Sequence, residues 1–212
     1  MKKFKFTVLL ATLSALCAFS APVNAQDPVL NKEYLEISKA PAAQKEVLEF
    51  FSFYCPHCYD FEFTYKIPES IKQGLPENTA FKQYHVNFLG RQSENLTRAW
   101  ALAIALGAED KVKAPLFTAA QKDSLKSMDD IRAIFLANGI SAEQFDGGIN
   151  SFAVNALVNK QLQAAEAFKV RGVPAFFINE QYQINVEGFS DSRSTGEFVQ
   201  RYVDAVLFLV KK

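Results

Sequence analysis

In Val47-Leu-Glu-Phe-Phe-Ser-Phe-Tyr-Cys-Pro-His-Cys-Tyr59 a nearly unbroken apolar and aromatic run leads straight into a C-x-x-C pair. The run reads as a strand buried on both faces. Pro56 suits the first position of a helix, where its missing N–H is not needed. Cys55 therefore stands at a strand-to-helix junction, its sulfur facing unpaired backbone N–H groups and the positive end of the helix dipole. A thiolate there is stabilised and its pKa falls. His57, between the cysteines, can add a donated hydrogen bond or a positive charge. Cys58 lies one turn on, so the two sulfurs can bridge. The expected roles are an exposed attacking and leaving sulfur at Cys55 and a less exposed, resolving one at Cys58.

Working outward, a helical pattern continues through Phe61, Phe63 and Tyr65, with Pro68 as a break, and Ala80 to Phe88 reads as the next strand. Strand, helix, strand with a crossover is the unit of a parallel sheet. Upstream, Tyr34 to Ile37 is a candidate first strand, followed by a loop around Pro41. Downstream the chain turns helical: Asn95 to Leu106, Pro115 to Lys122, and Ile131 to Asn138 behind a capping box at Ser127-Met-Asp-Asp130. A short helix from Ser141 and a long one from Ala153 to Lys169 follow. Strands return at Val173–Ile178 and Tyr182–Val186 around a tight turn near Asn179-Glu180, and Ser194 caps a last helix to about Val210. Neither group of strands is large enough to stand alone. The pattern predicts one α/β domain over 26–212, a mixed sheet flanked by helices, with a helical insertion at about 90–155.

The first 25 residues read as an export signal rather than as structure. Lys2, Lys3 and Lys5 precede an uncharged run from Phe6 to Phe19, and Val23-Asn24-Ala25 offers small residues for cleavage. That run of 14 residues is short of the roughly 20 needed to cross a bilayer. Cleavage after Ala25 removes Cys17 and leaves 20 basic against 23 acidic side chains. A mildly acidic chain without basic clusters has no electrostatic reason to bind nucleic acid. Only Cys55 and Cys58 then remain. A bridge three residues long closes too small a loop to be a useful staple, so the pair is kept for reactivity or as half of a metal site. Zinc closure would need two more ligands, and the only histidines are His57, inside the loop, and His85, inside a strand. No metal is expected. His85 reads as a core or edge histidine. No nucleophile-elbow or phosphate-binding glycine motif is present.

Two further positions carry chemistry. Glu49 is a carboxylate in an otherwise apolar strand; buried, it would have a raised pKa and could exchange protons with Cys58. Val173-Pro174 opens a strand, and a cis bond there would present the Val173 backbone to an extended peptide beside the sulfurs.

Taken together these segments resemble the DsbA family of bacterial periplasmic disulfide oxidoreductases over essentially the whole chain after the leader. The resemblance is carried by Val47 to Tyr59, Tyr84-His-Val-Asn-Phe88, Ala114-Pro-Leu-Phe117 and Arg171-Gly-Val-Pro174. It implies a thioredoxin fold with a helical insertion, and a periplasmic monomer without cofactor that works through a redox-active Cys55–Cys58 disulfide. It also implies newly exported unfolded proteins as substrates and reoxidation by a DsbB-like, quinone-linked membrane oxidase. Cys55 matches the family's nucleophile, Pro56 its intervening proline, Cys58 its resolving cysteine, His57 its thiolate stabiliser, Pro174 its cis-proline and Glu49 its buried acid. One departure is evident: where family members carry a lysine near that acid, this chain has Gln83, and Lys82 points to the other strand face. Rival readings are a reductase or isomerase on the same fold and a peptide-binding holdase with idle cysteines.

Overall fold

The structure is a computed structural model that describes residues 27–37, 40 and 42–212. The expected leader, with Cys17, and Pro41 lie outside the described residues.

Five strands form one mixed sheet in the order β1-β5-β4-β2-β3: β1 Tyr34–Glu36, β2 Glu46–Phe51, β3 Ala80–His85, β4 Ala175–Ile178 and β5 Tyr182–Ile184. The apolar run lands where its composition requires, in β2, buried along its whole length. It pairs parallel with β3 and antiparallel with β4. Pleating sends Val47, Glu49 and Phe51 to one face and Leu48 and Phe50 to the other. The first face is covered near Val47 by α2 (Ile67–Gly74) and α8 (Thr195–Lys211). Near Phe51 it meets the helices that follow β3: α3 Ser93–Leu106, α4 Glu109–Gln121, α5 Met128–Ala137 and α6 Ala142–Gly148. The opposite face packs on Ala164 and Ala165 of α7 (Phe152–Ala167) and on Phe168. Phe50, Phe51 and Phe53 are at most 1% exposed. Each contributes on the order of 2 kcal/mol by burial, enough to fix the strand that carries the site.

Several boundaries differ from the sequence expectation. Pro68 does not break a helix; it sits in the first turn of α2, where proline is tolerated. The interruption falls earlier, at Lys66, whose φ is 53°. Between α1 (Pro56–Tyr59) and that point the chain makes a π-helical turn, Asp60–Thr64. Pro115 lies inside α4 rather than at its start, because the buried Val112, Leu116 and Phe117 hold the helix to the core on both sides of it. β3 stops at His85, leaving Phe88 half exposed, and Val186 enters a 3₁₀ turn after β5. The capping box at Ser127 and the Ser141 and Ser194 caps form, and Gly107 ends α3 with φ 59°.

Candidate active site

Cys55 is the N-cap of α1, with Pro56 as first helical residue. The Cys58 N–H donates to Cys55 Sγ at 3.3 Å, and the Cys55 thiol donates to the Val173 carbonyl at 3.2 Å. The Cys55 pKa is drawn down to about 6, first by a hydrogen bond from the Cys58 thiol, then by the Cys58 and His57 backbone N–H groups, with the His57 charge last; burial opposes them. Cys58 moves the other way. Burial pushes its thiol well above the ordinary range, and its hydrogen bond to Cys55 adds to the shift. The cysteines thus differ sharply in the ease of proton loss, Cys55 first. The expected exposure of Cys55 needs correction: the residue is only 5% exposed and Cys58 1%. Pro56 and His57 are the exposed members of the motif. Cys55 is covered by tertiary contact, the Val173 carbonyl lying on its sulfur.

The approach to the cysteines is held rigidly. Cys55 N–H bonds to Ser52 O at 3.0 Å and Tyr54 N–H to Ser52 Oγ at 3.2 Å. His85, fully buried in the core, accepts the Phe53 N–H on Nε2 at 3.2 Å. That leaves Nδ1 to donate to Thr97 Oγ1 at 2.9 Å. Burial lowers the His85 pKa to about 3, so the ring is neutral and can keep accepting. Gln121 Nε2 donates to Phe53 O at 2.8 Å. Gly90, with φ 92°, lets the Tyr54 ring lie against the next loop; a Cβ there would stand 2.2 Å from that ring.

Glu49 is not at an edge. It lies on β2, a strand paired on both sides, is 1% exposed, and its pKa rises to about 8, first through burial and then through the charge of Glu62. It is near enough to Cys58 for its charge to push that thiol further up. Gln83, its register partner on β3, donates from Nε2 to Glu49 Oε2 at 2.7 Å and to Glu62 Oε2 at 2.9 Å. A lysine does reach this pocket, but from elsewhere. Lys113 of α4 donates to Glu62 Oε1 at 2.8 Å and to Gln83 Oε1 at 2.9 Å. Lys82 is on the other face, paired with Glu46. The sequence pattern marks Gln83 only as a departure and does not single out Glu62 or Lys113. The signal for Lys113 is a lysine beside the apolar stripe Val112, Leu116, Phe117 of α4, a helix that begins before Pro115.

Val173–Pro174 is a cis peptide, and it brings together the Val173 backbone and Cys55. Among the described residues no group of three His, Cys, Asp or Glu side chains is placed to share a metal ion. The arrangement supports thiol–disulfide exchange: one acidified sulfur, one protonated sulfur beside it and a buried acid within electrostatic reach of the second.

Residues 46–202 match the description DSBA-like thioredoxin domain. The chain belongs to the DsbA-like thioredoxin family. A Haemophilus influenzae protein named thiol:disulfide interchange protein DsbA is 61% identical over 202 residues, 95% of this chain and 94% of that protein. DsbA of Proteus mirabilis, in a crystal structure, superposes with a TM-score of 0.82 at 44% identity, covering 88% of this chain and 98% of that one. A complex of the same species' protein with a non-covalently bound peptide gives 0.84 at 44% identity, covering 88% and 100%. Like its DsbA relatives, this chain is a thiol–disulfide oxidoreductase, and its five-stranded sheet with helices between β3 and β4 is the thioredoxin fold with a helical insertion.

Proposed function

We propose that the protein donates a Cys55–Cys58 disulfide to extended segments of newly exported proteins in the periplasm. A substrate thiolate attacks Cys55 Sγ, the S–S bond breaks, and Cys58 leaves and takes a proton. A second substrate thiolate then attacks the substrate sulfur of the mixed disulfide and releases Cys55 as a thiolate. The substrate loses two electrons and the cysteine pair gains them. Glu49 is the proton partner of Cys58, His57 and the helix start stabilise the Cys55 thiolate, and Pro56 fixes the start of α1. Val173 and Pro174 form the edge on which the substrate backbone pairs. That the Proteus mirabilis relative has been solved with a non-covalently bound peptide supports a peptide substrate.

The single observation that carries this reading is the opposite treatment of two sulfurs one turn apart. Cys55 is made acidic and so leaves easily, while Cys58 is kept protonated. Stabilising the released thiolate favours disulfide donation over reduction. The reduced form must then be reoxidised, and a quinone-linked membrane partner of the DsbB kind fits that need. The chain acts as a monomer through its own cysteines, without a bound cofactor or nucleic acid. Residues 1–25 direct export and are removed, leaving a 26–212 domain with its helical insertion at about 90–155.

Trapping tests the roles. Cys55→Ala should abolish disulfide transfer, and Cys58→Ala should accumulate mixed disulfides through Cys55, read by mass spectrometry after acid quench. Mixed disulfides on Cys58 in the Cys55→Ala variant would reverse the assignment.

A further inference from the structure

We infer that Lys113, carried into the sheet by α4, is a positioning residue for the proton on Glu49, acting through the Gln83 amide and the Glu62 carboxylate. The inference rests on Glu49 exchanging protons with Cys58, and it names what controls that exchange in this chain.

Lys113 is 5% exposed, and a cation so buried persists only with its donors satisfied. It has Glu62 Oε1 at 2.8 Å, Gln83 Oε1 at 2.9 Å and the Trp100 ring centroid at 5.9 Å. The consequence lies in the Gln83 amide, which has one acceptor end and one donor end. Lys113 occupies the acceptor, so the NH₂ must face the two carboxyls, and both of its hydrogens are used. Glu49 Oε2 is thereby fixed as an acceptor, and the proton of neutral Glu49 belongs on Oε1. Without the cation the amide could turn over and offer its oxygen to Glu49 instead, which favours the protonated acid. Charge acts in the same direction. Lys113 offsets Glu62, whose charge raises the Glu49 pKa, and itself lowers it.

Among the described residues, the other groups acting on Glu49 are Gln83 from β3, Cys58 from α1, Glu62 from the π-helical turn, Lys72 from α2 and Tyr202 from α8. Phe176 faces it across β4. Lys113 is the contribution of the helical insertion. A cleft of about 330 Å³ at the β3 edge is lined by Gln83, Lys113 and Trp100, so water reaches this end of the network away from the sulfurs. Trp100 Nε1 also donates to Gln83 O at 2.8 Å, seating the insertion on the same residue. The insertion therefore holds the setting of an acid on the sheet.

The test is a titration of the Glu49 carboxyl in the reduced protein by infrared difference spectroscopy, with Glu49→Gln identifying the band. Lys113→Met should raise its midpoint by about one pH unit. Lys113→Gln, which keeps a polar group in the pocket, should do the same and carries the test if the Met variant does not fold. Adding Gln83→Lys to Lys113→Gln returns a cation from β3 and should bring the midpoint back. Midpoints unchanged in the folded Lys113 variant would overturn the inference. The rate at which Cys58 resolves a mixed disulfide, followed against pH in the same proteins, separates the two readings. A moved Glu49 midpoint with an unmoved rate profile would uphold the role of Lys113 and remove Glu49 from the chemistry.

Discussion

Two sites, one within β2 and one just beyond its C-terminal end, solve the same problem, a charge in the interior, by different means. Beyond that end Cys55 is served by groups within three residues: the Cys58 thiol, the Cys58 and His57 N–H groups and the His57 charge. Two residues before that end, Glu49 is served by Gln83 and, through it, by Glu62 and Lys113, residues from three other elements. The local solution favours the charged form and the distributed one leaves the acid largely neutral at pH 7. A single helical turn can stabilise an anion because its donors come with the backbone. A mid-strand carboxylate has no such donors, since the strand's own N–H groups are committed to the sheet.

The contrast breaks most visibly at Glu49. Its folded pKa is raised above the ordinary carboxyl value, so its contribution to stability is fully present below about pH 4.5 and is lost as pH rises through about 8. Glu49→Gln cannot ionise. It should match the wild type in acid and exceed it by roughly 4 kcal/mol at pH 8 in chemical denaturation. A constant difference across that range would mean the acid is ionised in the fold.

A smaller effect is expected at Cys55, with the opposite sign. Its folded pKa is depressed, so the stability of the reduced form is gained above about pH 6 and lost as pH falls through that value. The reduced protein should melt above the oxidised one at pH 7, by the equivalent of about 1 kcal/mol, and the gap should close below pH 6. The short loop adds little entropy to compete. An oxidised form that melts higher at pH 7 would favour the reductase reading. The smallest effect belongs to His57, whose charge is the last of the causes acting on Cys55. His57→Leu keeps the backbone N–H and should raise the Cys55 pKa by about half a unit to one unit, lowering the redox potential by roughly 15–30 mV. Thiolate absorbance against pH reads the first and glutathione equilibrium the second. An unchanged absorbance curve would leave the helix start as the whole local device.

Legibility follows the same division. Val47 to Tyr59 specifies a buried strand running into a helix, because strand burial and a proline at N1 are properties of consecutive residues. The caps at Ser127, Ser141 and Ser194 are readable for the same reason. Prolines misled where packing overrode local preference: Pro115 reads as a start, yet α4 runs through it with Val112 and Phe117 in the core. From the sequence alone come the strand-to-helix junction, the acidified Cys55 and the protected Cys58, since their partners lie within one turn. The cover of the Val173 carbonyl over Cys55, 118 residues away, and the delivery of Lys113 to Gln83, 30 residues away, were decided only by the tertiary structure. No spacing rule links such positions; they meet because β2 lies between β4 and β3, so those strands and the helices packed on them converge on it.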